Sequence, residues 1–269
     1  MIRPSEVEVR AVAPGDLLDW TGRDRVVAAE FSPDVTLPAL AVHDGTAWGA
    51  VFVRRAHTRG ISLMVHGDDG SGELVAPRVV AVLRGLVASP PFPGWLATAR
   101  AKGVAAVSLP RTAEGLGGLL ARPPGRWEWM STTSVPEVGA GVDVRELGVG
   151  VREEVRSFLD AHNPGTDGQP FVRSGQRWLG VRSADGRLLA VGCCEPERSG
   201  TPVLSGITVH PVARGRGLGR AVTAELTRAA IAEHGWCTLG MYSVNDIARR
   251  MYLSLGYVIG ACWSSGELS

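Results

Sequence analysis

The sequence predicts an α+β protein of two domains, each built on a mostly antiparallel mixed sheet flanked by helices. Three observations carry that reading. Ser183-Ala184-Asp185-Gly186 separates two strand-like runs and contains an Asp-Gly pair, a strong hairpin signal. A glycine-rich loop, Arg214 to Arg220, stands between a further strand-like run and a long segment with helical spacing. Ser134 to Val142 reads S-V-P-E-V-G-A-G-V, with proline and glycines between patterned regions, as a linker does. The predicted organisation is a domain over 1–134, a linker over 135–141 and a second domain over 142–269. Each part is long enough to bury a core of its own.

The elements follow in order. After the linker, Val142 to Leu147 reads as a short strand. Val151 to Asp160 reads as a helix with Val155, Phe158 and Leu159 on one side, and Ala161 to Pro170 as a polar loop. Arg177 to Arg182, Arg187 to Glu195 and Pro202 to His210 form an antiparallel meander. The glycine-rich loop then opens a helix from Leu218 to His234, whose apolar stripe is Leu218, Val222, Leu226 and Ala229 and whose C-terminal stop is Gly235. Trp236 to Ser243 is a strand, Asp246 to Leu255 a helix and Tyr257 to Trp263 a final strand.

The first half repeats this order with weaker signals. Strands are expected near Ala50 to Arg54 and Ile61 to His66, then a loop and a helix from Val75 to Ala88. A strand over Val104 to Leu109, a helix near Thr112 to Leu120 and a strand near Trp127 to Thr133 complete it. The matching order points to a degenerate internal duplication.

Composition narrows the partners. Lys plus Arg total 28 against 27 acidic residues, and a net charge of +1 gives no field that gathers a polyanion, so nucleic acid is not expected. No run approaches the roughly 20 apolar residues of a membrane span, and Met1 to Glu6 lead into no apolar stretch. Cys193, Cys194, Cys237 and Cys262 show no C-x-x-C spacing and no paired histidines, so no metal and no disulfide framework is expected. A cytoplasmic protein, monomer or homodimer, is the expectation.

The chemistry concentrates in Arg214-Gly215-Arg216-Gly217-Leu218-Gly219-Arg220. A helix start exposes unpaired N–H groups at the positive end of the dipole, and glycines let that backbone approach an anion such as a pyrophosphate. Arginines add permanent positive charge. A nucleotide P-loop is excluded because the loop has no lysine and no serine or threonine. A dinucleotide fingerprint starting at Gly215 would need glycine where Arg220 stands.

What remains resembles the GNAT superfamily of acyl-CoA-dependent N-acyltransferases. Arg214, Gly217 and Gly219 fill the fixed places of its [RQ]-x-x-G-x-[GA] signature. Asn245, Ala248, Tyr252, Leu255, Gly256 and Tyr257 fill N-x-x-A-x-x-x-Y-x-x-L-G-[FY]. The resemblance covers Val142 to Trp263. It implies that Ile207, Thr208 and Val209 offer backbone groups to the acyl carbonyl and pantetheine arm of acetyl-CoA, and that the N–H groups of Arg214, Gly215, Arg216, Gly217, Leu218, Gly219 and Arg220 hold the pyrophosphate. It further implies that Asn245 contacts the pantetheine and that Tyr252 points its hydroxyl at the thioester sulfur. Asn245, Ala248 and Tyr252, three and then four residues apart, share one helix face. Asn245 also reads as an ordinary helix N-cap.

The reaction so implied is acetyl transfer to a primary amine of a small molecule or peptide, by direct attack in a ternary complex. It needs a neutral amine, an oxyanion site and an acid for the thiolate. Tyr252 is the candidate acid. The run Val203 to Val209 carries no carboxylate, so the candidate base is Glu195 at the end of the preceding strand, with His210 as runner-up. The acceptor side is expected near Asp160-Ala161-His162-Asn163-Pro164, with Trp178 and Asp167 nearby. The alternative function is a non-catalytic acyl-CoA-binding or sensing module. In the first half, Gly67-Asp68-Asp69-Gly70-Ser71-Gly72 takes the place of the arginine-rich loop, and Asp68, Asp69 and Glu73 would repel a pyrophosphate. That half is therefore expected to be GNAT-like, to hold no cofactor and to help shape the acceptor cleft.

Overall fold

A computed structural model describes residues 8–56, 60–71, 74, 76–121, 124–137 and 141–269. Residues 1–7, the loop positions Gly72, Glu73 and Val75, and 138–140 of the linker lie outside the described residues. Two compact units emerge: Met1–Trp129 with Tyr242–Val244 and Ile259–Ser269, and Met130–Met241 with Asn245–Val258.

The first unit contains β1 (Arg10–Val12), α1 (Leu17–Trp20), α2 (Arg25–Glu30), β2 (Ala39–His43), β3 (Trp48–Ala56), β4 (Gly60–Asp68), α3 (Pro77–Val87), α4 (Pro91–Ala101), β5 (Ala106–Pro110) and the start of β6 (Gly125–Thr132). β1 to β4 form an antiparallel meander, and β4 pairs with β5 in parallel. Leu83 and Leu86 of α3 and Trp95, Leu96 and Ala99 of α4 share one buried cluster with Leu63, Val65 and Leu109 of the sheet.

Two expectations for this half are corrected. The helix expected near Thr112 to Leu120 is two single turns, Arg111–Ala113 and Leu116–Gly118, because Gly117 and Gly118 sit at φ 57° and 67°, outside helical backbone. In the other direction, α4, which begins with Pro90, Pro91 and Pro93, lies where no element was expected. These prolines occupy the N-cap and the first turn, where a missing N–H forfeits no helical bond.

The second unit contains β7 (Arg145–Leu147), α5 (Arg152–His162), β8 (Arg177–Arg182), β9 (Leu188–Pro196), β10 (Pro202–Val209), α6 (Leu218–His234), β11 (Cys237–Tyr242) and α7 (Asp246–Ser254). β7 to β10 are antiparallel, and β10 pairs with β11 in parallel. One face of the sheet packs against α5 through Val155, Phe158, Leu159, Trp178, Val191 and Cys193. The α6 helix covers the other face, where a Cβ on Gly192 would meet Ile207, Val222 and Leu226. His162, expected in a loop, is the last residue of α5.

The mixed α+β class is as expected, but the sheets do not close within each sequence half. The last strand, β12 (Val258–Glu267), joins the first unit from Ile259 onward and pairs with β5 from Trp263↔Pro110 to Glu267↔Ala106. The end of β6, from Met130, counts with the second unit, where β6 neighbours β11.

Candidate active site

The site in the second unit begins with a break in β10. Its register against β9 shifts between Ser205 and Thr208, and Gly206, at φ 65°, supplies the backbone conformation that the bulge requires. A Cβ there would also press on the Trp178 ring at 3.0 Å. The bulge lets Ser205 and Thr208, three residues apart, both face α5, where a regular strand would set them on opposite sides. Ser205 Oγ donates to Glu195 Oε1 at 2.9 Å, and Thr208 Oγ1 accepts from Asn163 Nδ2 at 3.1 Å.

Beyond the bulge one edge of β10 opens. The ladder with β11 comprises Val203↔Thr238 and Leu204↔Leu239 and goes no further. His210 N–H donates to the Leu189 carbonyl at 2.8 Å, so by strand alternation Thr208 and His210 turn their backbone groups to β9. Ile207 and Val209 turn theirs to the other edge, beyond the end of the β11 ladder. The N–H groups on this edge need a partner, and an extended chain bearing amides and a carbonyl can supply one; the Val209 carbonyl has Arg214 Nε at 3.4 Å.

At the end of the same strand, Arg214 to Arg220 forms the expected loop. Gly217, at φ 78°, is the left-handed N-cap of α6 and contributes no side chain. The first bond of the helix runs from Ala221 N–H to the Gly217 carbonyl, which leaves the N–H groups of Leu218, Gly219 and Arg220 without helical partners. Arg214 Nε lies 3.4 Å from the Val209 carbonyl, and Arg220 Nη1 donates to Ser254 Oγ at 2.6 Å. Arg216 is exposed. Gly219 packs close to Val209 and Met251, bringing the loop against both β10 and α7. A 17-residue helix whose open end carries glycine and three arginines suits a diphosphate.

The second motif lies on α7. Asn245 is its N-cap: Oδ1 accepts from Ala248 N–H at 3.1 Å, leaving the amide nitrogen for other partners. Tyr252 is buried, and its hydroxyl has no hydrogen-bond partner among the described residues. Burial pushes its phenol above the ordinary value, so it carries its proton at neutral pH. Tyr257 packs 5.8 Å from it and shares a 2.8 Å hydrogen bond with Thr227, a structural role.

Glu195 is buried and fully engaged. Arg173 forms an ion pair with it, with Nε at 3.0 Å from Oε2; Gln176 Nε2 donates at 2.7 Å, and Ser205 holds the other oxygen. The candidate base is therefore paired with a cation, and strand-end position does not reveal the Arg173 partner 22 residues earlier. Substituting Arg173 by Met leaves Glu195 buried without its cation and should lower stability by about 3–5 kcal/mol in urea unfolding. A loss under 1 kcal/mol would mean that the carboxylate is readily resolvated.

A cluster that the sequence reading noted only as separate residues lies next to Thr208. The rings of His162 and His210 are 4.4 Å apart, and Phe158 packs 4.9 Å from His162. Their separation of 48 positions hides this pairing in the sequence. Asp160 is exposed and faces Arg156 at 3.9 Å, and Asp167 is exposed.

The Acetyltransferase (GNAT) family pattern matches residues 151–257. This part of the chain belongs to the GNAT acetyltransferase family. The matched stretch contains β10, the arginine-rich loop and the Asn245–Tyr257 motif, and membership implies an acyl-CoA co-substrate. Among solved structures, GCN5-related N-acetyltransferases from Kribbella flavida (19% identity, 96% of each chain covered, TM-score 0.53) and Sphaerobacter thermophilus (17% identity, 98% of this chain and 96% of that one, TM-score 0.51) are similar. A GNAT-family acetyltransferase from Colwellia psychrerythraea is similar too (12% identity, 97% and 100% covered, TM-score 0.51). These likenesses concern the fold, and they extend over the GNAT stretch and the first unit alike. No curated protein matches the chain in sequence.

Proposed function

We propose that the second unit transfers an acetyl group from acetyl-CoA to a primary amine. The observation that carries this reading is the open edge of β10 at Ile207 and Val209, directly followed by an arginine-lined helix start. Together they fit the two parts of one ligand, an amide-bearing arm and a diphosphate. Acetyl-CoA supplies an activated acyl group when bound. Backbone N–H groups of Ile207 and Val209 orient its carbonyl and meet the developing oxyanion. Leu218, Gly219 and Arg220 N–H groups, with Arg214 and Arg216, neutralise the diphosphate. The amide nitrogen of Asn245 faces the arm, and Tyr252 holds the proton that the departing sulfur takes. The acceptor is a small-molecule or peptide amine, entering beside α5.

The first unit should hold no second cofactor. Its β4 keeps an unbroken register with β3 from Trp48↔Asp68 to Ala56↔Gly60, with no bulge. The helix that follows starts at Pro77 after Ala76, well past the acidic loop, and not at a left-handed glycine. Asp68 ends β4 and Asp69 follows it, and hydrogen bonds from Ser71 favour the ionised form of Asp69. Titration calorimetry with acetyl-CoA should give one site per chain, and two sites would overturn the assignment of an inactive first unit.

The competing reading is a non-catalytic acyl-CoA-binding module, favoured by the sequestered Glu195. Thiol release across an amine panel separates the two.

A further inference from the structure

We infer that His162, at the C-terminal end of α5, is the base that takes the proton from the attacking amine, with His210 as a positioning residue that acts through it. This rests on the acetyl-transfer reading of the second unit. The geometry starts from the clamp between Asn163 and Thr208, 3.1 Å from Nδ2 to Oγ1. It fixes the end of α5 against β10 one residue from the open Ile207 and Val209 edges. His162 is the residue before the clamp, and its ring sits between Phe158 at 4.9 Å and His210 at 4.4 Å.

The two histidines are not equivalent. His210 Nδ1 accepts from Val212 N–H at 3.3 Å. In the neutral ring the proton then sits on Nε2, so neither nitrogen has a lone pair to spare. His162 has no hydrogen bond to another side chain among the described residues and keeps an acceptor. Glu195 offers no rival, since Arg173, Gln176 and Ser205 hold it.

The groups facing His162 also favour its neutral form. Burial comes first, then the charges of His210 and of Arg214 beyond β10; together they hold its pKa below 6.5, while the Ala161 carbonyl pulls weakly the other way. On its own helix, Asp160 is turned to Arg156. At neutral pH the imidazole is therefore ready to accept. As nitrogen bonds to the acyl carbon, the excess proton on nitrogen passes to His162. The carbon–sulfur bond breaks and sulfur takes a proton from Tyr252, which solvent restores. One proton leaves nitrogen, one arrives on sulfur, and the amide and free thiol balance the reactants.

The test is the pH–rate profile of thiol release with an amine that the wild type acetylates. The wild type should show an acidic limb with its midpoint below 6.5, activity falling as pH falls through it. His162→Gln should lower turnover about a hundredfold and abolish that limb, keep the stabilisation by acetyl-CoA, and regain rate with added imidazole. His210→Gln, which removes the electrostatic influence of His210 on His162, should move the midpoint upward. Wild-type rate and an unchanged limb in His162→Gln overturn the base assignment while leaving acetyl transfer in place. A wild type that releases no thiol with any amine overturns the acetyl-transfer reading, and the base with it.

Discussion

Gly217→Glu should abolish the stabilisation that acetyl-CoA gives the wild-type protein. At a hundredfold excess over its dissociation constant, a ligand that binds the folded state alone adds about 2.7 kcal/mol, a rise of several degrees in Tm. Two effects act against the variant. Gly217 caps α6 at φ 78°, and a residue with a Cβ pays about 1–2 kcal/mol in that backbone region, so the unliganded protein should itself melt slightly earlier. Its carboxylate would also stand at the open N–H groups of Leu218, Gly219 and Arg220, in the place of the diphosphate. Gly217→Ala separates the two, because it brings the strain without the charge and should keep part of the shift. A full acetyl-CoA shift in Gly217→Glu removes the loop from the binding site.

Tyr252→Phe should keep folding and acetyl-CoA affinity while turnover drops about a hundredfold. The ring is buried and packs against Tyr257, so keeping it preserves the core around α7. The hydroxyl has no described partner to lose. General acid catalysis contributes about a hundredfold to ten-thousandfold, and the lower figure applies because a thiolate leaves readily. The burial that raises the phenol pKa keeps the proton in place across the working range, so this residue should add no limb to the pH profile below pH 9. Wild-type turnover in Tyr252→Phe, measured with the same amine, makes Tyr252 a packing residue.

How much of this was legible in the sequence depends on the range of the forces involved. Local signals were strong where geometry is local. The Asp185-Gly186 turn fixed the β8–β9 hairpin, and the loop-to-helix step at Gly217 and the stop at Gly235 bound α6 as read, Leu218–His234. The order of Asn245, Ala248 and Tyr252 placed α7. Partnerships over long separations were not legible. No residue near Glu195 announces Arg173 or Gln176, and no spacing reveals that His162 and His210 meet. The pairing of β12 with β5 joins residues more than 150 positions apart, which no local pattern announces. In the first unit, glycines at 117 and 118 defeated a helical apolar pattern, and the prolines that begin α4 carried a meaning opposite to the one their type suggests.

The bulge at Gly206 sits between these extremes. A glycine inside a strand pattern marks a bulge or a close approach, and here it does both, although the rest of Pro202 to His210 follows a regular strand pattern. That single irregularity puts Ser205 and Thr208 on one face and frees the edge of β10, from which the functional account follows.

The measurement that tests this account most directly is the incubation of the full chain with acetyl-CoA and a panel of primary amines, following thiol release and identifying products by mass spectrometry. At least one amine should gain an acetyl group in an amide, one per thiol released, and Tyr252→Phe should slow both together. Acetyl-CoA that binds with one site per chain, with no thiol released for any amine, would contradict this account and leave a binding module.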